Sequence, residues 1–301
     1  MWIADNWKDY EVLDTSGGEK LERWGDYILV RPDPQVIWNT PHEHKGWKQK
    51  NGHYHRSTKG GGEWEFFHLP DEWTISYPLP CLQNNVQSTA TDHLTFHLKP
   101  FSFKHTGLFP EQATNWDWFS GLIRSAKRPV KVLNLFAYTG GATLAAAAAG
   151  AQVTHVDASK GMVGWAKENA VSSGLGDAPI RWLVDDCVKF VEREIRRGNQ
   201  YDGIIMDPPS YGRGPKGEIW KIEESIWPFI QLTSQILSKD ALFFLINSYT
   251  TGLQPAVLSY MMNTALVPRF GGRVEAQEIG LPVTGNGLIL PCGASGRWTA
   301  N

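Results

Sequence analysis

Four strand-like runs in this 301-residue chain end on residues able to do chemistry. The last of them, IIMDPPS (204–210), leads an apolar run into Asp207 and then Pro208-Pro209. A carboxylate at the tip of a buried strand is a hydrogen-bond acceptor delivered to the sheet edge. Two consecutive prolines have fixed φ angles and no N–H to satisfy, so they present backbone carbonyls rigidly. The first run, NLFAYTGGAT (134–143), sets Gly140 and Gly141 where a strand turns into a helix. Glycines there let the backbone approach a ligand without a Cβ in the way. The helix N-terminus beyond them adds free N–H groups and a positive dipole end. Between these two runs, VTHVD ends on Asp157 and IRWLVDD on Asp186. The earlier acid suits both hydroxyls of a ribose, and the later one an exocyclic adenine amine.

A dinucleotide enzyme would carry GxGxxG at the first turn. Here the residues are Ala137-Tyr138-Thr139-Gly140-Gly141-Ala142, which disfavours a pyrophosphate cradle and suits an amino-acid carboxylate or a nucleoside. Taken singly, a Gly-Gly turn and an acidic helix N-cap are ordinary features. Taken in this order, they point to S-adenosylmethionine.

The elements that must position these residues fall into two regions. Nine of the fourteen tryptophans precede residue 125, and that half reads as short strands broken by Pro and Gly: 26–32, 62–70, 72–78 and 93–100. The stretch 41–62 is Gly-rich, basic and polar, and is expected to be an exposed loop. From Arg128 the grammar becomes strand, helix, strand, helix. Strands are expected over 131–137, 151–157, 180–186, 201–207 and 241–248, with helices over 142–150, 161–174 and 188–198. A further helical stretch over 219–238 is expected to break near Pro228. Such alternation predicts a parallel sheet with helices on both faces. The runs 273–283 and 286–293, joined by Thr-Gly, predict a closing antiparallel hairpin.

NLFAYTGG, VDASKGMVGWAKENA, DDC and DPPS together resemble the class I methyltransferases, in the branch that contains bacterial large-subunit rRNA methyltransferases. The likeness runs over roughly 104–250 and includes KHTGLFPEQ (104–112), similar to a segment that lies beside the cofactor in that family. It implies a Rossmann-like seven-stranded methyltransferase sheet with a C-terminal hairpin over 126–301. A smaller β-rich N-terminal region, 1–125, would contribute to the substrate face and the cofactor wall. It also implies that Ala137 and Gly140 line the methionine portion, that Asp157 holds the ribose and that Asp186 meets the adenine. Thr106, Gly107, Phe109 and Gln112 would wall the cofactor. Tyr138, Thr139, Gly141, Ala158, Cys187 and Asp207 complete the expected cofactor site. Leu108, Pro110 and the residue after Gln112 depart from the family's pattern in that wall.

Asp207, Pro208, Tyr211 and Asn247 are the candidates for holding the acceptor, with Tyr211 stacking on its ring and Asn247 orienting it. Carbon-5 methylation of cytosine needs a thiolate. Relatives that do this carry Cys at the fifth strand tip, where this chain has INSYT (246–250). Cys187 is placed at the adenine end and Cys292 in the terminal hairpin, so the expected acceptor is a nitrogen. Asn247-Ser248 bears some likeness to the tip of guanine-N7 methyltransferases, whose acceptor needs only positioning, while an exocyclic amine would use Asp207 as acceptor. Both stay open.

RNA, ribosomal RNA in particular, is the expected partner. Arg213, Lys216 and Lys221 lie beside the presumed site, and Lys45, Lys48, Lys50, Arg56 and Lys59 alternate with Trp47 and Tyr54. The formal net charge of -2 excludes a strongly basic tail but not a local basic face. His42, His44, His53 and His55 form two HxH pairs; with only Glu43 near at hand they are expected to be loop residues without a metal. Three scattered cysteines suggest no disulfide framework. The N-terminus has no signal-peptide layout, and a cytoplasmic location is expected. Alternatives are a small-molecule or protein methyltransferase, a catalytically silent cofactor-binding assembly factor, and an oxidoreductase, which the missing GxGxxG opposes.

Overall fold

A computed structural model describes residues 1–57, 60–80, 91–101, 104–214 and 217–301; Lys59, Cys81 and Lys216 lie outside them. The N-terminal region supplies β1 (Trp2–Ile3), β2 (Tyr10–Ser16), β3 (Glu19–Trp24), β4 (Tyr27–Pro32), β5 (Gly52–Arg56), β6 (Gly62–Phe66), β7 (Trp73–Pro78) and β8 (His93–Leu98). Strands β2 to β6 form one sheet in sequence order, and β7 pairs with β8. Helix α1 (Ala113–Ser125) then leads into the alternating half. That half comprises β9 (Lys131–Leu135), α2 (Gly141–Ala148), β10 (Gln152–Asp157), α3 (Lys160–Ser172), β11 (Ile180–Val184), α4 (Cys187–Arg197) and β12 (Gly203–Met206). After a small hairpin, β13 (Tyr211–Arg213) with β14 (Ile219–Lys221), come α5 (Ile222–Thr233), β15 (Phe243–Ser248), α6 (Pro255–Ala265), α7 (Val267–Phe270), β16 (Arg273–Pro282) and β17 (Ile289–Thr299).

The large sheet has the order β1-β16-β17-β15-β12-β9-β10-β11, with β17 antiparallel to both neighbours and every other pairing parallel. The seven expected strands are present, and an eighth is added: β1, at the extreme N-terminus, pairs Trp2 with Ile279 and Ile3 with Gly280. Strands β9, β12 and β15 are apolar and buried on both faces because helices cover both sides. Strand order reverses between β9 and β12, so the carboxyl ends of β9, β10, β11, β12 and β15 open onto one crevice.

Three expectations are corrected. Residues 41–62 are not a single exposed loop. They contain β5, which pairs parallel with β4 and antiparallel with β6, and Trp47 and Tyr54 are buried. Helix α5 runs unbroken through Pro228, which sits on its exposed face, where water can take the place of the missing N–H. The closing hairpin turns over 283–288, which holds Thr284-Gly285 but is longer than that dipeptide, and β17 extends well beyond 293. Among the described residues no helix is long and apolar enough to cross a membrane.

Candidate active site

The crevice holds a cavity of about 470 Å³, with a narrower recess of about 50 Å³ beside it. Asp157, Asp186 and Asp207, the acids expected at three successive strand tips, all line the main cavity, with Ala158, Cys187 and Pro208. Gln112, Ala137, Thr139, Gly141 and Asn247 line the recess, and Phe109, Tyr138 and Asp207 line both.

The β9–α2 loop is held in a high-energy shape. Phe136 and Tyr138 have φ of 55° and 51°, a region that side-chain-bearing residues rarely enter. Gly140 has φ of 86°, and a Cβ there would stand 2.9 Å from that of Ala166. A Cβ on Gly141 would stand 2.6 Å from the Trp116 ring, so the second glycine is needed for helix packing rather than for ligand approach. The Tyr138 N–H donates to Asp157 Oδ2 at 2.8 Å and the Ser159 N–H to Oδ1 at 2.8 Å, which fixes this carboxylate against the loop. Burial lifts the Asp157 carboxyl above its usual range, while those two backbone donors oppose the rise. Asp186 caps α4 by accepting from the Lys189 N–H at 2.9 Å, so it serves the helix and the cavity together. Cys187 Sγ accepts from the Phe136 N–H, and burial pushes the thiol well above its usual range, where it is no nucleophile.

The segment 104–112 lines part of the cavity and its recess, but its residues divide the work. Thr106 and Gly107 do not line the cavity. Gly107, at φ 100°, passes so close to Trp165 that a Cβ would lie 2.3 Å from the ring, and its carbonyl accepts from Thr139 Oγ1 at 2.6 Å. Thr106 Oγ1 is buried without a partner. What reaches the cavity is His105 and Phe109, whose ring stands 5.5 Å from those of Tyr138 and Tyr249. Burial, helped by nearby Arg31, keeps His105 neutral by lowering its pKa to about 4.

At the end of β12, Asp207 Oδ1 is sealed from solvent and has no hydrogen-bond partner. Burial, with a further push from Glu111, raises its pKa to about 7. Glu111 is itself buried and raised by desolvation, and Gln112 Nε2 donates to the Tyr249 hydroxyl at 2.6 Å. Tyr211 does not line the cavity; it points outward on β13 and is 54% exposed. Asn247 lies in the recess, but its Oδ1 already accepts from Asn115 Nδ2 at 3.0 Å and Ser295 Oγ at 2.6 Å. Aromatic cover over Asp207 comes instead from Tyr249, Phe136 and Trp220, none of which stood out in the sequence. Trp220 is held by its Nε1 donating to the Pro209 carbonyl at 2.7 Å. Arg213 lines the cavity; no described residue of 41–62 does.

Fold and cavity together are those of a nucleoside-binding α/β transferase. The family description S-adenosylmethionine-dependent methyltransferase matches residues 72–223. An S-adenosylmethionine-dependent methyltransferase from Agrobacterium tumefaciens is 36% identical, covers 99% of this chain and 93% of its own, and superposes with a TM-score of 0.90. The chain belongs to this family, and S-adenosylmethionine is its cofactor. A Streptococcus mutans structure with TM-score 0.71 and 16% identity, covering 98% of this chain and 76% of its own, shares the fold. The ribosomal RNA large subunit methyltransferase K/L of Pseudoalteromonas atlantica is 35% identical over 130 residues, 42% of this chain but only 17% of that protein.

Proposed function

We propose that the chain methylates a nitrogen that carries an N–H, most simply the exocyclic amine of an RNA base. The observation behind this reading is the buried, unpartnered Oδ1 of Asp207 in the cavity wall. An unpaired buried acceptor costs roughly 1–3 kcal/mol, which an incoming N–H would relieve once the Asp207 carboxylate turns Oδ1 onto the cavity. Bound in the cavity, S-adenosylmethionine supplies an electrophilic methyl group. Asp157 would hold its ribose and Asp186 its adenine. The fit rests on the strained loop at Phe136 and Tyr138, which turns both side chains onto the cavity, and on the backbone-tethered Asp157. Asp207 would accept the N–H while the nitrogen lone pair attacks the methyl group in line; as the N–C bond forms the S–C bond breaks, the thioether leaves, and the Asp207 carboxylate takes the N–H proton. A protonated Asp207 donating to a ring nitrogen would occupy that lone pair, which favours the amine over N7. Pro208 and Pro209 keep the backbone beside Asp207 rigid, and Tyr249, Phe136 and Trp220 form the apolar cover. Positioning and alignment supply the rate.

RNA as the class of substrate is supported by the resemblance to the rRNA enzymes and by Arg213 on the cavity rim. That no described residue of 41–62 lines the cavity favours a second reading, transfer to a small molecule or a protein. Incubation with tritiated-methyl cofactor and total RNA separates them. Label is expected in RNA and to fall about 100-fold in Asp207→Asn. Label confined to protein or small molecules would overturn the RNA assignment, and full activity of Asp207→Asn would overturn the role of Asp207.

A further inference from the structure

The two HxH pairs, alike in sequence, fold differently. His42 stacks on Trp47 with ring centroids 4.1 Å apart, and His44 Nδ1 accepts from the Gly46 N–H at 3.0 Å, so both are engaged in a turn. His53 and His55 lie two apart on β5 and therefore share a face of the sheet. In the antiparallel register with β6, His53 stands opposite Glu65 and His55 opposite Glu63. Opposed residues also share a face, so this register gathers imidazoles and carboxylates on one side of the hairpin. One donor atom each from His53, His55 and Glu65 lies within 4.8 Å of the other two. The two imidazole centroids are 3.9 Å apart, and His55 Nε2 is 2.8 Å from Glu65 Oε2. From β3, Glu19 Oε1 reaches His53 Nε2 at 2.6 Å. The His53 side chain is 14% exposed, whereas those of His55 and Glu65 are 46% and 51% exposed, so the group opens to solvent on one side.

We propose that His53, His55 and Glu65 form a binding site for a borderline-soft divalent cation, Zn²⁺ foremost, with Glu19 orienting His53. Two imidazoles and one carboxylate are a known zinc ligand set that leaves a fourth position for water. Ca²⁺ and Mg²⁺ require more oxygen ligands than this face provides. Ligands bound at about 2.1 Å around a tetrahedral ion stand roughly 3.4 Å apart, so small χ rotations on a fixed ladder would close the set. Exposed His–Glu pairs contribute at most about 1 kcal/mol and give no reason for two imidazoles to lie in ring contact. A shared dication does. Bound there, it joins β5 to β6 away from the cofactor cavity, and this proposal stands independently of the acceptor assigned above.

The test uses the full chain, stripped with a chelator and titrated calorimetrically with Zn²⁺, then separately with Ca²⁺ and Mg²⁺. One equivalent of Zn²⁺ is expected to bind and to raise the melting temperature. The paired substitution His55→Asn with Glu65→Gln should remove that equivalent without changing the metal-free melting temperature. Glu19→Gln should weaken binding about 10-fold, as loss of an orienting partner does. Unchanged Zn²⁺ stoichiometry and affinity in the paired variant, which would point to cysteine thiolates, would overturn the site. Ca²⁺ or Mg²⁺ binding as tightly as Zn²⁺ would also overturn it.

Discussion

With Oδ1 sealed from water and unpartnered, Asp207 keeps its proton up to about pH 7, well above an ordinary carboxyl. Between about pH 4 and 7 the unfolded chain has therefore ionised this group while the folded one still binds the proton. Stability from this residue is present at low pH, is lost as pH rises through that window, and levels off above 7. Asp207→Asn has no such proton, so its melting temperature should gain on the wild type from pH 4 to 7 and run parallel above. Parallel melting curves throughout would refute the burial argument. Activity should move the other way: kcat/KM rises as the carboxylate forms near pH 7, whereas the Asn variant is slow and flat across the same range. Gly107 offers a second, purely steric test. Its φ of 100° and the 2.3 Å approach of a built Cβ to Trp165 mean that Gly107→Ala must shift the wall. Strain alone costs roughly 1–3 kcal/mol; thermal melts should show that loss, and cofactor titration should show weaker binding because Phe109 moves with the segment.

The hairpin β13–β14 shows what was and was not legible at the level of elements. The strands ending on Asp157, Asp186 and Asp207 could be read because short apolar runs stop abruptly at acids, and local pattern suffices for that. The sequence SYGRGPKGEIWK could be read only as a basic stretch. That Trp220 folds back to bond the Pro209 carbonyl, and packs 5.0 Å from Phe136 and 5.5 Å from Phe229, depends on cross-strand register that composition does not encode. The same limit hid Tyr249, which was seen only as part of a tip lacking Cys, and displaced Tyr211, which the register turns outward. Asn247 was recognised by position, yet its carbonyl oxygen is engaged by Asn115 and Ser295, partners 132 and 48 residues away. Trp220→Ala should therefore destabilise by about 3 kcal/mol, the usual cost of deleting a buried aromatic ring. It should also raise the cofactor KM by opening the wall beside Pro209. A KM that stayed constant despite lower stability would make the residue a fold determinant only.

Across the whole molecule, the N-terminal sheet is tied to the cavity wall through buried charge. Glu22, fully buried, receives both arms of Arg31 at 2.6 and 2.8 Å and the Tyr10 hydroxyl at 2.7 Å. The third Arg31 nitrogen donates to the Lys104 carbonyl at 2.9 Å, and Lys104 Nζ donates to the Pro32 carbonyl at 2.9 Å. Lys104 opens the segment that places His105 and Phe109 on the cavity. None of this was legible in advance: Glu22 and Arg31 look like alternating surface residues of two strands, and only the tertiary fold turns them inward. β1, which joins the edge of the large sheet from the far end of the chain, is another non-local pairing of that kind. Burial alone would raise the Glu22 carboxyl, but Arg31 and Lys20 outweigh it and hold it at about 2. The sign is that of a depressed carboxylate: its stabilisation is complete above about pH 4.5 and is lost as pH falls toward 2. Arg31→Met takes both guanidinium bonds from the buried Glu22 carboxylate and leaves it only the Tyr10 hydroxyl and Lys20, and should cost about 3 kcal/mol at neutral pH. Adding Glu22→Leu should recover part of that loss, because two apolar side chains need no partner while the buried Tyr10 hydroxyl loses its acceptor. Recovery of stability need not restore the wall, since the double variant still lacks the bond to the Lys104 carbonyl. Chemical denaturation together with cofactor titration of the single and double variants separates the two effects. Stability partly recovered with cofactor affinity still low is the expected result, and full recovery of affinity would show that Arg31 serves folding alone.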